Sequence, residues 1–430
     1  MKLRNYQLKG LEKTLRMHEQ GKRSVVLVMP PGAGKTVLGS TASIEIGRRR
    51  MGSVLWVAHR KELIKQAAST IKKVGFDTGI IAPWAKPDPS KPIQVASIQT
   101  LRLAGELPPF EVVVWDEAHH AVSDDWIILA KECRRRKAFL IGLTATPERK
   151  DGRGLYPLFS NMIVVATPRK LISEGFLVPT EVLVPSRFIE DGVADMPVIL
   201  WERHARGTKT IVFCESVEHS RAIRDEFGEH GWKAGHVDGD MTSRERDRVI
   251  KKFISGRIDI LCNCQILTEG FDLPPIQTVM LARRVGSHSL YLQMTGRGSR
   301  PFEDKKSNLV LDLTGTAKLF GLPDEDRVFS LKGRPISLKD TSSLDKMRKC
   351  KACGMLFARR LTTCTHCGMP IEKDGKSRRV YKDRLHKMTK SEAEAYKQAQ
   401  LDRWTDYARI HAKPDEWIEQ QFFKKFGRMP

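Results

Sequence analysis

Short apolar runs, rich in β-branched residues, alternate with longer helical patterns through the first 315 of the 430 residues. This alternation is typical of parallel α/β architecture, in which a helix follows each buried strand. The runs form two series, so the sequence predicts two similar sheets in one α/β chain. The candidate strands are 25–30, 54–59, 93–98, 112–116 and 139–144 in the first series, and 210–214, 233–237, 258–263, 278–282 and 308–312 in the second.

The regions around the two series predict the remaining organisation. Residues 166–205 contain several prolines and suit a connector or hinge between a first domain at 1–165 and a second at 206–330. Turn-forming residues, clustered cysteines and a basic linker follow, which indicates a small module at 331–375. We expect the last segment, 376–430, to be a basic tail of two helices.

The charge of the chain restricts its partners. It carries 74 Lys and Arg against 51 Asp and Glu, a formal net charge of +23. This excess favours a polyanionic partner such as DNA or RNA, although a basic surface also serves solubility alone. No apolar run approaches the roughly 20 residues of a membrane-spanning helix, and the first residues lack the apolar stretch of a signal peptide. We therefore expect a cytoplasmic protein that does not bind membranes.

A glycine-rich turn follows the first candidate strand and precedes a helical pattern. It consists of Pro31, Gly32, Ala33 and Gly34. Backbone N–H groups of such a turn, with the helix dipole behind them, predict an anion site for the phosphates of ATP. Lys35 can reach the outer phosphates, and the Thr36 hydroxyl can ligate Mg²⁺. Met29 stands where such loops usually have their first glycine, and the alternative is a turn that only packs.

Two carboxylates follow the apolar run 112–115. Asp116 and Glu117 would lie at the carboxyl edge of the sheet, where open α/β sheets bind ligands. We expect Asp116 to hold Mg²⁺, directly or through water, and Glu117 to orient and polarise the attacking water. Alone, such a pair is often a helix cap. Beside a phosphate loop it indicates nucleotide hydrolysis.

The motifs resemble those of superfamily 2 helicases of the DEAD/DEAH-box-like group, in the same order across roughly residues 3–300. Segments similar to motifs Ia, Ib, III, IV and V are 59–66, 97–101, 144–147, 210–216 and 267–274. The chain is similar to RadD-type bacterial helicases and to phage helicases with a C-terminal zinc module. This resemblance implies two tandem RecA-like domains, followed by a four-cysteine zinc module and a helical tail.

The resemblance also implies roles in nucleotide binding. Tyr6 and Gln7 lie in the adenine-sensing motif, where a glutamine amide matches the N6/N7 edge of adenine. Gly270 and Asp272 of motif V would contact the nucleotide as well.

Motif VI contributes Gln293, Arg297 and Arg300 to the expected catalytic set. Guanidinium groups aimed at the γ-phosphate stabilise charge during phosphoryl transfer. Arg297 is the predicted arginine finger, and three residues separate it from Arg300, so that both face one way on a helix. The family also implies that His119 communicates with motif VI through Gln293.

Residues expected to contact sugar and phosphate by resemblance are Arg60, Gln99, Thr100 and Thr268. Such contacts position a strand without reading its sequence, so we expect weak sequence preference. Trp84 is a candidate for stacking on a base, or simply covers its own loop.

Two Cys-x-x-Cys-Gly knuckles are separated by ten residues and supply Cys350, Cys353, Cys364 and Cys367. This spacing predicts a tetrahedral, structural Zn²⁺ site, and two disulfides are the alternative. The other four cysteines are scattered, which indicates packing.

The combined prediction is an ATP-dependent DNA helicase or translocase that acts on single-stranded or branched DNA as a monomer. The resemblance implies repair, recombination or replication restart as the process. Three alternatives stay open: an RNA helicase, an ATP-gated clamp that closes on DNA without unwinding it, and the motor subunit of a restriction or defence complex.

Overall fold

The computed structural model contains two α/β domains and a helical tail. The described residues are 2–120, 124–149, 154–186, 189, 192–268, 276–332, 347–349, 356–358, 383–410 and 414–426.

The first domain is built on one parallel sheet of seven strands. The strands are β1 (Ser24–Val28), β2 (Val54–Ala58), β3 (Gly79–Ile81), β4 (Ile93–Ser97), β5 (Val112–Trp115), β6 (Phe139–Thr144) and β7 (Met162–Val164). Their order is β3-β4-β2-β5-β6-β1-β7, with every neighbouring pair parallel. The helices are α1 (Asn5–Glu19), α2 (Lys35–Arg49), α3 (Lys61–Val74), α4 (Ile98–Leu103), α5 (Asp124–Arg135) and α6 (Pro168–Ser173).

Burial on both faces explains the nearly continuous apolar runs of these strands. In β1, Val25 and Leu27 pack in the core on one face of the sheet, while Val26 and Val28 pack in the core on the other. Because both faces of the sheet are packed, the loops at its carboxyl edge start from well-ordered strands.

The second domain also has a seven-stranded sheet. Its strands are β8 (Thr180–Pro185), β9 (Thr210–Phe213), β10 (Ala234–Val237), β11 (Ile260–Asn263), β12 (Thr278–Leu281), β13 (Asn308–Asp312) and β16 (Leu385–Lys387). The order is β10-β11-β9-β12-β13-β8-β16, and only β16 runs antiparallel to its neighbour. The helices are α7 (Pro197–His204), α8 (Val217–Glu229), α9 (Ser243–Ile254), α10 (His288–Thr295) and α11 (Thr316–Phe320). A separate antiparallel pair is formed by β14 (Met347–Lys349) and β15 (Leu356–Ala358).

All ten predicted strands are present, with ends within two residues of those expected. The sequence patterns missed four strands of the two sheets: β3, β7, β8 and β16. Three of them are only three residues long, which is too short for a periodic signal.

Residues 166–205 differ from the connector that their prolines suggested. Helix α6 packs through Leu171 into the core of the first domain, while β8 pairs with β13 inside the second sheet. Helix α7 places Trp201, fully buried, in the core of the second domain. The prolines begin α6 and α7, a position at which the missing N–H is not needed.

After α11 the chain returns to the first domain and forms a strap at residues 321–332. Leu331 accepts a backbone hydrogen bond from the N–H of Tyr156 at 2.8 Å, and Phe329 and Leu331 pack on the core of the first domain. The Asp326 carboxylate accepts a hydrogen bond from the N–H of Arg169 at 3.1 Å. Within the described residues, the chain therefore passes between the domains twice, before β8 and after α11.

The tail consists of α12 (Lys390–Ile410) and α13 (Asp415–Phe426). Phe422 and Phe426 are buried in a core of the second domain. Cys133, Cys214, Cys262 and Cys264 are also buried. Among the helices in the described ranges, none is long and apolar enough to cross a membrane.

The packing of α7 can be tested by Trp201→Ala. The Trp201 indole donates a 2.7 Å hydrogen bond to the Thr210 hydroxyl and contacts the rings of Phe227 and Trp232 edge-on. Because the side chain is fully buried, its removal should lower the free energy of unfolding by about 3–5 kcal/mol. Urea unfolding monitored by circular dichroism measures the effect. Trp84→Ala is the matched control, since Trp84 is 38% exposed; equal losses in the two variants would contradict the structural role of α7.

Candidate nucleotide site between the two sheets

The phosphate loop lies at the carboxyl end of β1. Gly32 and Gly34 both have φ of +80°, a conformation that side chains with a Cβ rarely adopt. Lys35 is the first residue of the 15-residue helix α2, so the unpaired N–H groups and the positive dipole end of that helix point into the loop. This geometry suits an anion with several phosphate oxygens.

Helix α1 supports the phosphate loop from behind. The Tyr6 hydroxyl donates to the Ala33 carbonyl at 2.9 Å. The Gln7 amide donates to the Gly34 carbonyl at 3.2 Å, and its oxygen accepts from the Arg4 N–H at 3.0 Å. Gln7 therefore braces the loop in this structure, while its role in adenine recognition stays a prediction.

Asp116 and Glu117 follow β5 and line the same cavity as Lys35 and Thr36. Asp116 is 4% exposed and accepts a hydrogen bond from the Glu117 N–H at 3.1 Å. Glu117 has φ of +50°, a strained conformation for a non-glycine residue that typically costs about 1–3 kcal/mol. With this backbone conformation Glu117 lines the cavity.

The donor groups in this cavity fit Mg²⁺. A carboxylate on Asp116 and a hydroxyl on Thr36 are hard oxygen donors, and Mg²⁺ typically takes one or two carboxylates with substrate phosphates. In the described part of the chain no cluster of three or more His, Cys, Asp or Glu side chains forms a cage for a metal ion. The magnesium would therefore be shared with the nucleotide.

The second domain closes the opposite wall of the cavity. Gln293, Arg297 and Arg300 line it together with Lys35 from the first domain. Arg297 donates through Nη2 to the Thr268 carbonyl. Gly296 lies so close to Pro31 that an added Cβ would stand 2.6 Å from the proline Cβ. Phosphate loop and arginines thus share one cavity, in which a γ-phosphate would meet both.

A buried polar chain crosses between the domains beside this cavity. The Thr144 hydroxyl donates to the Thr146 carbonyl at 2.7 Å, so it accepts from His119 Nδ1 at 3.1 Å. The neutral His119 ring then has an unprotonated Nε2, which accepts from the Gln293 amide at 3.4 Å. His119 Nδ1 also lies 3.4 Å from Glu117 Oε2. This geometry supplies the contact through which His119 was expected to communicate with motif VI.

The residues expected to contact nucleic acid divide into two groups. Arg60, Gln99 and Thr100 lie at the carboxyl ends of the neighbouring strands β2 and β4, and Gln99 donates to the His59 carbonyl at 3.4 Å. Thr268 instead is 3% exposed and lines the nucleotide cavity. The structure therefore places Thr268 with the nucleotide residues, because the second domain folds it against Arg297.

Trp84 lies in the loop after β3, next to the end of β4 in the sheet. The ammonium groups of Lys61 and Lys65 stand 5.2 and 5.7 Å from its ring. Trp84 is thus an exposed indole beside two cations, at the same edge of the sheet as Arg60 and Gln99.

Some expected site residues lie outside the described residues. They are Gly270 and Asp272 of motif V and the cysteines Cys350, Cys353, Cys364 and Cys367.

Comparison with known proteins identifies the two domains. One family model, described as type III restriction enzyme, res subunit, matches residues 1–149, and another, helicase conserved C-terminal domain, matches residues 192–301. The chain therefore resembles superfamily 2 helicases over both of its sheets. Its enzyme class is that of ATP-dependent nucleic-acid helicases.

Individual relatives agree with this assignment. A 51.5 kDa protein of a Lactococcus phage is 28% identical to this helicase over 368 residues, covering 79% of this chain and 76% of the phage protein. The Schizosaccharomyces pombe protein irc3, named a mitochondrial ATP-dependent helicase, is 30% identical over 360 residues. That match covers 75% of this chain and 59% of the yeast protein, so the yeast protein is considerably longer.

A solved structure resembles the fold. It is a fragment of an HsdR subunit of a type I restriction enzyme from Vibrio vulnificus, with a TM-score of 0.57 and 26% identity. The match covers 76% of this helicase and 68% of the fragment.

The close approach of the domains can be tested by Gly296→Ala. Because the added Cβ would collide with Pro31, the two walls of the cavity must separate by a few tenths of an ångström or more. We expect ATP hydrolysis to fall about tenfold, the effect of a loss of roughly 1.4 kcal/mol in transition-state stabilisation. Steady-state ATPase assays measure it. Gly286→Ala is the control, since nothing lies within 4 Å of its added Cβ; full activity of Gly296→Ala would contradict the closure.

Proposed function

We propose that this protein is an ATP-dependent DNA translocase or helicase. The observation that carries the proposal is the cavity in which Lys35 of one domain faces Arg297 and Arg300 of the other. Such a site is complete only when the domains close, so binding and hydrolysis of ATP are coupled to their movement.

Each residue of the cavity has its own proposed role in hydrolysis. Lys35 and the loop amides would hold the β- and γ-phosphates, and Thr36 and Asp116 would hold Mg²⁺, which would neutralise phosphate charge. Glu117 orients a water molecule and accepts its proton as the oxygen attacks the γ-phosphorus and the bond to ADP breaks. Arg297 and Arg300 stabilise the charge that develops on the phosphoryl oxygens.

The polar chain through His119 offers a route by which this chemistry reaches the second domain. Loss of the γ-phosphate removes the charge that holds Arg297, and the contact between Gln293 and His119 is then a polar link that still joins the two domains beside the cavity. Opening of the cleft would break that link and move the second domain relative to Arg60 and Gln99 on the first. Repeated cycles would displace the protein along a strand.

DNA is the proposed track. The net charge of +23 favours a polyanion. A matching family model and a similar solved structure are described as subunits of restriction enzymes, and the similar protein Rad25 of Haloarcula marismortui is named a DNA 3'-5' helicase. Arg60 and Gln99 would contact the backbone, which predicts weak sequence preference. Repair, recombination or replication restart is the process we propose, with the protein acting as a cytoplasmic monomer.

The track is tested by measuring ATP turnover with single-stranded DNA, duplex DNA and RNA separately. We expect DNA to stimulate hydrolysis, and Lys35→Ala to abolish the stimulated rate because the γ-phosphate loses its cation. Stimulation by RNA alone would overturn the choice of DNA. A strand-displacement and translocation assay on the same samples separates the motor from a clamp, for which ATP would turn over without movement.

A second candidate is the motor subunit of a restriction-type complex. The name of the first family model and the HsdR fragment favour it. Purification of the full chain from its native cells would test it, since a motor subunit would bring stoichiometric partners, whereas the monomer proposed above would elute alone.

We also propose that Cys350, Cys353, Cys364 and Cys367 bind one structural Zn²⁺. The support is their spacing, since four thiolates in two knuckles form the closed tetrahedral shell typical of structural zinc. Metal analysis of a fresh preparation under reducing conditions should give about one zinc per chain. Cys350→Ser with Cys353→Ser should lose that zinc, and Cys133→Ser is the control; a metal content well below one would refute the site.

A further inference from the structure

Lys305 lies just beyond the turn that carries the two arginines. Its ammonium group donates to the Ile276 carbonyl at 2.5 Å, to the Arg300 carbonyl at 3.3 Å and to the Gly298 carbonyl. The ring of Phe302, 5.1 Å from Nζ, covers one side of the ammonium. A lysine ammonium has three N–H donors, so all three are used on backbone oxygens.

Two of these carbonyls belong to the turn that presents Arg297 and Arg300 to the cavity. The third, on Ile276, lies two residues before β12. Asn308 adds a neighbouring clamp, since its amide donates to the Thr295 carbonyl at 3.0 Å. The backbone of the arginine turn is therefore fixed by side chains outside the motif.

We propose that Lys305 is a positioning residue for ATP hydrolysis, which holds residues 296–300 in the shape that aims Arg297 and Arg300 at the γ-phosphate. The inference rests on the proposed function, because it concerns the same cavity. Lys305 does not line the cavity among its described residues, so it acts through the turn and not on the nucleotide.

The charge of Lys305 matters to this role. Burial lowers the pKa of Lys305 to about 8. Below that pH the ammonium satisfies three carbonyls. Above it the amine keeps two N–H donors and turns a lone pair toward the third carbonyl oxygen, which repels it. The turn should therefore loosen as pH rises through about 8.

The charged residues near Lys305 do not account for its lowered pKa. The charged residues on the segments around it are Arg297, Arg300, Glu303, Asp304 and Lys306. Among the described contacts, none of these forms an ion pair with Lys305, and burial alone accounts for its lowered pKa. Lys305→Arg keeps a permanent cation at the site, whereas Lys305→Met keeps similar bulk without charge.

The test is steady-state, DNA-stimulated ATP hydrolysis by the full chain between pH 6.5 and 9.5, with kcat and KM measured separately. We expect Lys305→Met to lower kcat about tenfold or more at neutral pH, since misplaced catalytic groups cost rate. KM for ATP should change less than about twofold, because the phosphate loop is untouched. The control Lys306→Met removes the neighbouring, exposed lysine and should match the unmodified chain.

The pH profile separates positioning from a merely structural role. For the unmodified chain and Lys306→Met, kcat should fall above about pH 8, and for Lys305→Arg it should not. An unchanged kcat in Lys305→Met, or the same alkaline fall in Lys305→Arg, would overturn the inference while leaving the ATPase intact. If Lys305→Met does not fold, the profile of Lys305→Arg decides alone. Absence of ATP turnover in the unmodified chain would overturn the proposed function and this inference together.

Discussion

The contact between Pro31 and Gly296 is the constraint on which the site depends. It is where the phosphate loop of one sheet touches the arginine turn of the other, at a distance that admits no Cβ. Each loop is rigid on its own side, since the phosphate loop rests on Tyr6 and Gln7 and the arginine turn on Lys305 and Asn308. Two rigid loops in contact define the cavity more sharply than either sheet could alone.

Strain and buried polar groups concentrate at this contact. Glu117 has a positive φ, and the polar chain from Thr144 through His119 to Gln293 passes beside its carboxylate, since His119 Nδ1 lies 3.4 Å from Glu117 Oε2. Isolated buried polar groups are costly, but here each member has a partner, so the chain stabilises one closed arrangement. Separation of the domains would break the hydrogen bond between Gln293 and His119 and admit water to both groups. The cleft is therefore expected to be either closed or open, with few intermediate arrangements.

The sequence predicted the parts of this fold that depend on local pattern. Ten buried strands carried enough β-branched residues to be recognised, whereas β16 pairs with β8 from about 200 residues away and has only three residues. The motifs identified Lys35, Asp116 and Arg297 because their spacing follows backbone geometry. No local pattern shows that Gln7 braces the loop, that Thr268 is buried beside Arg297, or that Lys305 reaches three carbonyls, since these contacts exist only after distant segments pack.

The two crossings that the described residues show restrict how the cleft can open. The segment between β7 and β8 and the strap at 321–332 both join the domains near the Pro31 side, and the strap is anchored in the first core by Phe329 and Leu331. Elsewhere the domains meet through Arg60 and the Gln265 carbonyl at 3.3 Å, and through Arg246 and Glu62 at 3.9 Å. Such polar contacts are weak and exchange readily with water or phosphate. Opening should therefore be a rotation about the doubly tethered side, which moves Arg60 and its neighbours most. A rotation of this kind converts a small change at the γ-phosphate into a larger displacement where a strand would lie.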